Sequence, residues 1–338
     1  MLDFNLSDEQ QMLVEMTRSF VEKDMVPHEE ILETKNILPS DLAVVLKKKS
    51  IELGLFACNL PKEVGGGGLD AVTVMLIEKE LGRTSLALAE CAHRPLNILS
   101  ACQGKQVTEF LEPTVRGDKR DCIAMTEPEA GSDLRGMKCQ AVREKNYWLI
   151  NGVKHFISQA AVSDYCVLFA ATGEEETDKG IKKQISAFLV DFSDSGVEVE
   201  QGYKNVSHRG YTNNILNFNN VRIPDWRMLG TEGQGFQLIN EWLGPTRLTV
   251  AATSVARAER AFDTALKYAA TREQFGQKIG KFQGVSFPLA DMSLEIKLAN
   301  LLLIETAWKI DQGKVTPEDC AMARLYCTEM LARIADQA

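Results

Sequence analysis

The sequence predicts a mainly α-helical protein of the α+β class, with an N-terminal helical domain, a small antiparallel β-barrel or sandwich, and a C-terminal helical bundle. Apolar residues recur at helical spacing towards both ends of the chain, whereas the middle contains short runs rich in β-branched and aromatic residues. No helix-length segment separates these runs, so their strands are expected to be antiparallel. The expected domains span residues 1–120, 121–228 and 229–338.

The N-terminal domain is predicted to contain at least three helices. Ser7 followed by Gln10 is the sequence signature of a capping box that begins the first helix. Two further helices are predicted over 41–53 and 71–81, because a glycine follows each apolar pattern. The segment PKEVGGGG at 61–68 lacks the G-K-[ST] of a phosphate-binding loop. A connecting turn is therefore the favoured interpretation of this segment, with a phosphate loop as the alternative.

The C-terminal domain is predicted to consist of long helices. The helical period covers residues 234–271 and then 282–312, and another helix is predicted to begin after Thr316 with Pro317 as its first residue. No Gly, Pro or Asn ends this last pattern before Ala338. The open pattern predicts that the sequence was cut there and that a C-terminal part is missing.

Composition excludes several classes of protein. The net charge of -9 argues against a nucleic-acid partner, since binding to phosphates requires a basic surface. No apolar run reaches the roughly 18 residues of a membrane helix, and the N-terminus lacks a secretion signal. The eight cysteines contain no C-x-x-C pair and the four histidines no H-x-x-x-H pair, which predicts reduced thiols and no metal site. We expect a protein of the bacterial cytoplasm or of the mitochondrial matrix.

The run AMTEPEAGSDLRG at 124–136 is the first candidate site. After the preceding strand this run is expected to turn, and to present the hydroxyl groups of Thr126 and Ser132 and the backbone N–H groups near Gly131 to one place. Flavin ring edges and phosphate oxygens require donors of this kind. An ordinary turn with an Asp cap after a strand is the alternative, and the residues alone leave both interpretations open.

This run resembles the signature of the acyl-CoA dehydrogenase family and matches every constrained position. The resemblance covers essentially the whole chain and implies FAD as the cofactor and an acyl-CoA thioester as the substrate. It implies that the backbone around Ile123 and Met125, together with Thr126, faces the flavin ring. It also implies that Gly131 and Ser132 approach the flavin and the thioester arm of the substrate.

A second candidate segment runs from Asn151 to Ser158, with the sequence NGVKHFIS. The Asn-Gly pair between apolar runs predicts a β-hairpin turn, and Phe156 and Ile157 can be understood simply as core strand residues. In the family the corresponding strand backs the flavin ring. Phe156 stands where many members have Trp, and Ser158 where they have Thr, so the resemblance implies that Phe156, Ile157 and Ser158 contact the flavin.

A third candidate segment begins with Arg272 and continues through REQFG. The residues alone favour a helix C-cap with a basic neighbour. The segment is similar to the family's R-x-x-F-G-x-x-I motif, which reaches the FAD of a neighbouring subunit. The resemblance implies that Arg272 neutralises the diphosphate, that Gln274, Phe275 and Gln283 lie along the adenosine and phosphate part, and that the protein is a homo-oligomer, a dimer or typically a tetramer.

The substrate residue implied by the resemblance is Arg247, which in the family contacts acyl-CoA. A solvated helix arginine is the alternative. Relatives commonly have an acidic residue slightly upstream, whereas this chain has Gly244 and Pro245. A proline is expected to kink a continuing helix at this point.

The resemblance implies dehydrogenation of a short- or medium-chain acyl-CoA, with electrons passed to an electron-transfer flavoprotein. In most relatives the glutamate base lies beyond the point that matches Ala338, and in a minority it lies at the position of Thr246. A threonine is no carboxylate base, so the catalytic residue is unassigned and the activity of the chain, whether cut or naturally short, stays open. The alternatives are an enoyl-CoA reductase, as in relatives that act on crotonobetainyl-CoA, and a flavin-binding scaffold that does not catalyse.

Overall fold

The computed structural model describes residues 5–177 and 180–338 and is mainly helical, with an eight-stranded sheet formed by the middle of the chain, which confirms the predicted fold class. The chain forms two compact units. The helical unit comprises the chain up to Glu29, Leu69–Ala89 and Leu243–Ala338. The sheet unit comprises Glu30–Gly68 and Glu90–Trp242.

Local signals set most of the helix ends. Ser7 and Gln10 form the expected capping box, and Thr316 forms a second one with Asp319. Within the described ranges, none of the helices combines the length and apolar character needed to cross a bilayer. The helices are α1 Asp8–Phe20, α2 Glu29–Lys35, α3 Ser40–Glu52, α4 Ala71–Leu81, α5 Leu86–Ala89, α6 Glu112–Arg116, α7 Gly235–Thr271, α8 Gln283–Asp311 and α9 Pro317–Gln337.

The core of the helical unit is built from α4, α7, α8 and α9, and small side chains allow close approach. At the end of α4, a Cβ atom on Gly82 would lie 2.6 Å from the Cα of Thr253 on α7, so only glycine fits. The face of α7 that packs here is rich in alanine. The core residues of α7 are Leu248, Ala251, Ala252, Val255 and Ala258.

The central sheet has the strand order β6-β7-β3-β2-β4-β5-β8, and β1 pairs with β4. Most neighbouring strands are antiparallel as expected, but β1 and β2 each pair with β4 in parallel. The β2–β3 hairpin lies between β1 and β4 in the chain and gives the length that a parallel connection requires. The strands are β1 Asp121–Ala124, β2 Gln140–Glu144, β3 Tyr147–Ser158, β4 Tyr165–Thr177, β5 Gly180–Asp191, β6 Val197–Gln201, β7 Asn213–Pro224 and β8 Met228–Leu229, and a separate hairpin is formed by β9 Glu273–Gln274 and β10 Gln277–Lys278.

The hairpin turn predicted at Asn151–Gly152 is wrong, because β3 runs through both residues. The register against β7 shifts between Ile150 and Gly152, so the pair forms a bulge rather than a turn. A Cβ atom on Gly152 would lie 2.6 Å from the Cα of Cys139, which explains the glycine. The Asn151 side chain accepts a hydrogen bond from the backbone N–H of Asn220 at 2.8 Å and holds the bulge.

The four glycines at 65–68 belong to a tightly folded connection. A Cβ atom on Gly66 would lie 2.3 Å from the carbonyl oxygen of Leu60, and one on Gly67 would lie 2.8 Å from the Cα of Cys58. The need for glycine at these two positions comes from contact with the chain's own backbone. This packing supports the interpretation of the segment as a connecting turn.

Candidate active site

The first candidate segment leaves the sheet unit at the end of β1. Ile123 lies in β1 opposite Val167 of β4 and is half-buried. Residues 125–139, which we call the 125–139 loop, then connect β1 to β2. Within the loop, Gly131 and Ser132 are exposed, and no atom lies within 4 Å of a Cβ built on Gly131. Gly131 and Ser132, two of the predicted donor positions, therefore border open space.

Strand β3 lies directly against the start of this loop. The backbone N–H of His155 donates to the carbonyl oxygen of Thr126 at 2.9 Å. The ammonium group of Lys154 donates to the carbonyl oxygen of Met125 at 2.9 Å. The structure thus brings together the first two segments that the sequence singled out, although they are separate in the chain.

Phe156 lies at a second bulge of β3, where the register against β7 shifts between Lys154 and Ile157. Its φ of 57° is in the left-handed region, which is strained for an aromatic residue, and the side chain is 50% exposed. Its ring centroid lies 4.5 Å from that of Tyr203 and 4.2 Å from that of His155. Tyr203 was missed by the sequence reasoning, because nothing in its polar loop marks it as a neighbour of Phe156.

The two residues after Phe156 have different surroundings. Ile157 is 2% exposed and belongs to the core of the sheet unit, so its side chain is a core residue. Ser158 is half-buried and donates to the Oδ1 atom of Asn213 at 3.4 Å. It also forms a hydrogen bond with Tyr211, whose pKa is raised mainly by burial. The hydroxyl of Ser158 is thus held in a polar cluster at the end of β3.

Arg247 and Thr246 lie in the helical unit, on α7, and both are half-buried. The helix is continuous from Gly235 to Thr271 and contains Pro245, so the proline does not end it. Burial raises the pKa of the Cys320 thiol on α9, and the positive charge of Arg247 opposes that rise. Arg247 is therefore close to the beginning of α9.

The third candidate segment forms an exposed hairpin at the end of α7. The backbone N–H of Arg272 donates to the carbonyl oxygen of Tyr268 at 2.8 Å at the end of the helix. Arg272 itself is exposed. Phe275 and Gly276 occupy the turn with φ values of 52° and 77°, as in a two-residue hairpin turn with two positive φ angles. Phe275 is 94% exposed, which is exceptional for a phenylalanine. Gln274 and Gln283 are exposed as well.

The acidic residues near these segments do not have the surroundings of a general base. Glu127 is buried and accepts hydrogen bonds from Lys154, from the backbone N–H of Lys138 and from that of Cys139. Glu129 is exposed and lies 3.4 Å from the ammonium group of Lys138. The described residues contain no group of three His, Cys, Asp or Glu side chains that could hold a metal ion.

The residues in the sheet unit fit a flavin. The 125–139 loop offers hydroxyl and backbone N–H groups beside open space, and Phe156 offers a half-exposed aromatic face beside the loop. A flavin ring requires polar donors at its edge and an apolar surface against its face.

Models of three acyl-CoA dehydrogenase domains match nearly the whole chain: the N-terminal domain at residues 7–118, the middle domain at 122–221 and the C-terminal domain at 233–338. The probable acyl-CoA dehydrogenase YngJ of Bacillus subtilis is 33% identical, over 100% of this chain and 88% of that protein. The caffeyl-CoA reductase-Etf complex subunit CarC of Acetobacterium woodii is 31% identical, over 98% of this chain and 87% of that protein.

Solved structures agree with these matches. Butyryl-CoA dehydrogenase from Megasphaera elsdenii has a TM-score of 0.88 at 29% identity, over 98% of this chain and 87% of that one. An FAD complex of PigA has a TM-score of 0.89 at 28% identity, over 98% of this chain and 86% of that one. The chain therefore belongs to the acyl-CoA dehydrogenase family of FAD-dependent oxidoreductases that act on CH–CH bonds.

Proposed function

We propose that this chain catalyses the α,β-dehydrogenation of a short- or medium-chain acyl-CoA and passes the electrons to an electron-transfer flavoprotein. The proposal rests on one hydrogen bond, in which the backbone N–H of His155 donates to the carbonyl oxygen of Thr126. This bond joins the 125–139 loop to the bulge of β3 that carries Phe156. That hydrogen bond places the polar donors of the loop beside a half-exposed aromatic ring. The name of the butyryl-CoA dehydrogenase relative supports a short acyl group.

The sheet unit would hold the isoalloxazine part of FAD. We assign the backbone around Ile123 and Met125, with Thr126, to the ring edge, and Phe156, Ile157 and Ser158 to the strand behind the ring. Because the side chain of Ile157 is buried, its contribution would come from the backbone and from support of the strand. Gly131 and Ser132 would lie between the flavin and the thioester.

Bound FAD would supply the acceptor for the hydride that leaves the β-carbon. The chain's own contribution is to orient the thioester through donors of the 125–139 loop and to hold the anionic coenzyme A through Arg247. Donors directed at a thioester carbonyl stabilise the negative charge that develops when the α-proton leaves. The group that takes the α-proton is not assigned, since Thr246 has no carboxylate and Glu127 is engaged in an ion pair.

We propose further that the protein is a homo-oligomer whose subunits complete each other's FAD sites. Arg272, Gln274, Phe275 and Gln283 would reach the adenosine and phosphate part of the partner's FAD. The 94% exposure of Phe275 supports this, because an exposed phenylalanine at a strained turn gains little unless another molecule covers it.

An apolar stripe along α8 also supports association of subunits. The exposed side chains of this stripe follow each other at intervals of seven, four, three and seven residues, the spacing of a helix that packs against another. The α8 stripe consists of Phe287, Leu294, Leu298, Leu301 and Trp308. A second copy of the chain is the occupant we propose for it.

Reduction of an enoyl-CoA is the second candidate function. The similarity to a subunit named as part of a caffeyl-CoA reductase-Etf complex favours it, because that relative is named for the reductive direction. The same residues serve both directions, since the direction depends on the potential of the electron partner. A scaffold that binds flavin without turnover is the third candidate, since the base is unassigned.

Steady-state assays separate the three candidates. Purified protein is given a panel of saturated acyl-CoA thioesters with an electron-transfer flavoprotein or an artificial electron acceptor, and separately a panel of enoyl-CoA thioesters with a reduced electron donor. Turnover of a short or medium saturated thioester is the expected result. Turnover of enoyl-CoA alone would favour the reductase, and a flavin-loaded protein that is inactive in both panels would favour the scaffold.

A further inference from the structure

Glu127 and Lys154 form the most deeply buried ion pair among the described residues. Their side chains are 2% and 0% exposed, and the Oε1 and Nζ atoms lie 2.7 Å apart. Glu127 is in the 125–139 loop and Lys154 is in β3.

The pair is surrounded by hydrogen bonds that tie both ends of the 125–139 loop to β3. One oxygen of Glu127 accepts from the N–H of Cys139 at 3.0 Å, and the other accepts from the N–H of Lys138 at 2.5 Å, where the loop enters β2. Lys154 donates to the carbonyl oxygen of Met125 at 2.9 Å, where the loop leaves β1. One ion pair thus fixes the beginning and the end of the loop.

Burial makes each charge depend on the other. Removing one partner of a buried pair leaves an uncompensated charge in a region of low dielectric and lowers stability strongly. Replacing both charged groups by uncharged ones often changes stability little. The ammonium group of Lys154 donates directly to the Met125 carbonyl, so its positive charge lies beside the backbone that we assign to the flavin edge. The balance between the two charges therefore acts on that edge.

We propose that Glu127 and Lys154 are positioning residues for the flavin: the pair fixes the backbone of Met125 and Thr126 and keeps the local charge at the flavin edge near zero. The inference rests on the proposed flavin site. It assigns to Glu127 a role other than proton transfer. It also explains why a glutamate and a lysine are buried here together.

The charge balance makes opposite predictions for the two single variants. In Glu127→Gln the ammonium group of Lys154 keeps its charge without compensation, and a positive charge near the ring stabilises the electron-rich reduced flavin. The midpoint potential of the flavin is expected to become more positive. In Lys154→Met the carboxylate of Glu127 loses its partner, and a negative charge near the ring disfavours the reduced flavin, so the potential is expected to become more negative.

The experiment measures flavin midpoint potential and FAD dissociation for the full chain and its variants, with far-ultraviolet circular dichroism as the folding control. Glu127→Gln with Lys154→Met in one chain removes both charges, and its potential is expected near the wild-type value. Lys154→Arg keeps the charge and tests rescue. Asp194→Asn is the matched control. Asp194 forms a 2.6 Å ion pair with Arg227 in the same unit and also accepts a hydrogen bond from the backbone of Asp191, and both of these partners lie outside the 125–139 loop.

The expected result is a more positive potential in Glu127→Gln, faster loss of FAD in both single variants, and little change in Lys154→Arg and Asp194→Asn. If Glu127→Gln folds and keeps the wild-type potential and FAD dissociation, the positioning role is wrong. If a single variant does not fold, the double variant decides: a folded double variant whose flavin potential departs from the wild-type value contradicts the charge-balance argument. Wild-type protein that binds no FAD after reconstitution overturns the proposed flavin site itself, which is a different failure.

Discussion

Two arginines of the helical unit have different surroundings. Arg272 is exposed at the end of α7, beside the turn that carries Phe275, whereas Arg247 is half-buried near Cys320 at the beginning of α9. An exposed guanidinium is available to another molecule, and a half-buried one can bind only a ligand that enters its surroundings. The two residues are therefore expected to serve different ligands.

We expect Arg272→Ala to weaken FAD binding about 10- to 100-fold, the usual loss when one charge-assisted hydrogen bond is removed. Arg247→Ala is expected to keep its FAD and to bind acyl-CoA more weakly by a similar factor. Flavin retention after gel filtration and fluorescence titration with a CoA thioester measure the two effects. Equal retention of FAD in both variants would count against the role of Arg272.

Arg257 on α7 has no hydrogen-bond or ion-pair partner among the residues that the structure describes, and burial alone lowers its pKa. A half-buried charge without a counter-ion costs stability. We expect Arg257→Met to raise the free energy of unfolding by roughly 1 kcal/mol, as measured by urea denaturation. Arg260→Met is the matched control on the same helix, since it breaks the 2.6 Å pair with Glu29 and is expected to destabilise. A loss of stability in Arg257→Met would contradict this expectation and indicate that the guanidinium is paired.

At the residue scale, the sequence could indicate chemistry but not contacts. The hydroxyl groups at Thr126 and Ser132 could be identified from residue type alone. The pairing of Glu127 with Lys154 could not, because nothing in either local pattern indicates which buried charge meets which. The contact between the Phe156 and Tyr203 rings depends in the same way on the fold, which brings β3 beside a distant loop.

At the scale of elements, the sequence predicted several helix ends closely, because the residues that begin or end these helices act on their immediate neighbours. Capping boxes at Ser7 and Thr316 and the glycine after α4 act within one turn of the chain. The Asn151–Gly152 pair misled because a turn and a bulge need the same backbone freedom. Only the partner strand β7 decides between them.

The α8 stripe gives the prediction at this scale. We expect Leu298→Asp to separate the oligomer into smaller species and to weaken FAD binding, because a carboxylate placed in an apolar contact loses its hydration. Lys297→Asp is the control at the neighbouring exposed position and is expected to leave the assembly intact. Sedimentation velocity measures the mass of each variant. Wild-type protein that is monomeric and still retains FAD would contradict the proposed sharing of sites between subunits.

At the scale of the whole molecule, fold and family could be predicted from the sequence, because the helix, sheet, helix order and the run at 124–136 together are specific. The assignment of each site residue stays a prediction. Eight of these residues belong to the sheet unit, where distances link Thr126 and Met125 to β3. Arg247 lies on α7 and Arg272 directly follows that helix, whereas the others lie in the β9–β10 hairpin and at the start of α8.

The central claim, that the chain binds FAD and uses it on an acyl-CoA, is tested most directly by anaerobic titration. Flavin-loaded protein is mixed with one saturated acyl-CoA at a time, and the visible absorbance of the oxidised flavin is followed without any electron partner. We expect a short- or medium-chain thioester to bleach the flavin and to leave the corresponding enoyl-CoA as product. A protein that holds FAD but is bleached by no acyl-CoA of the panel, while dithionite reduces it fully, would contradict the claim.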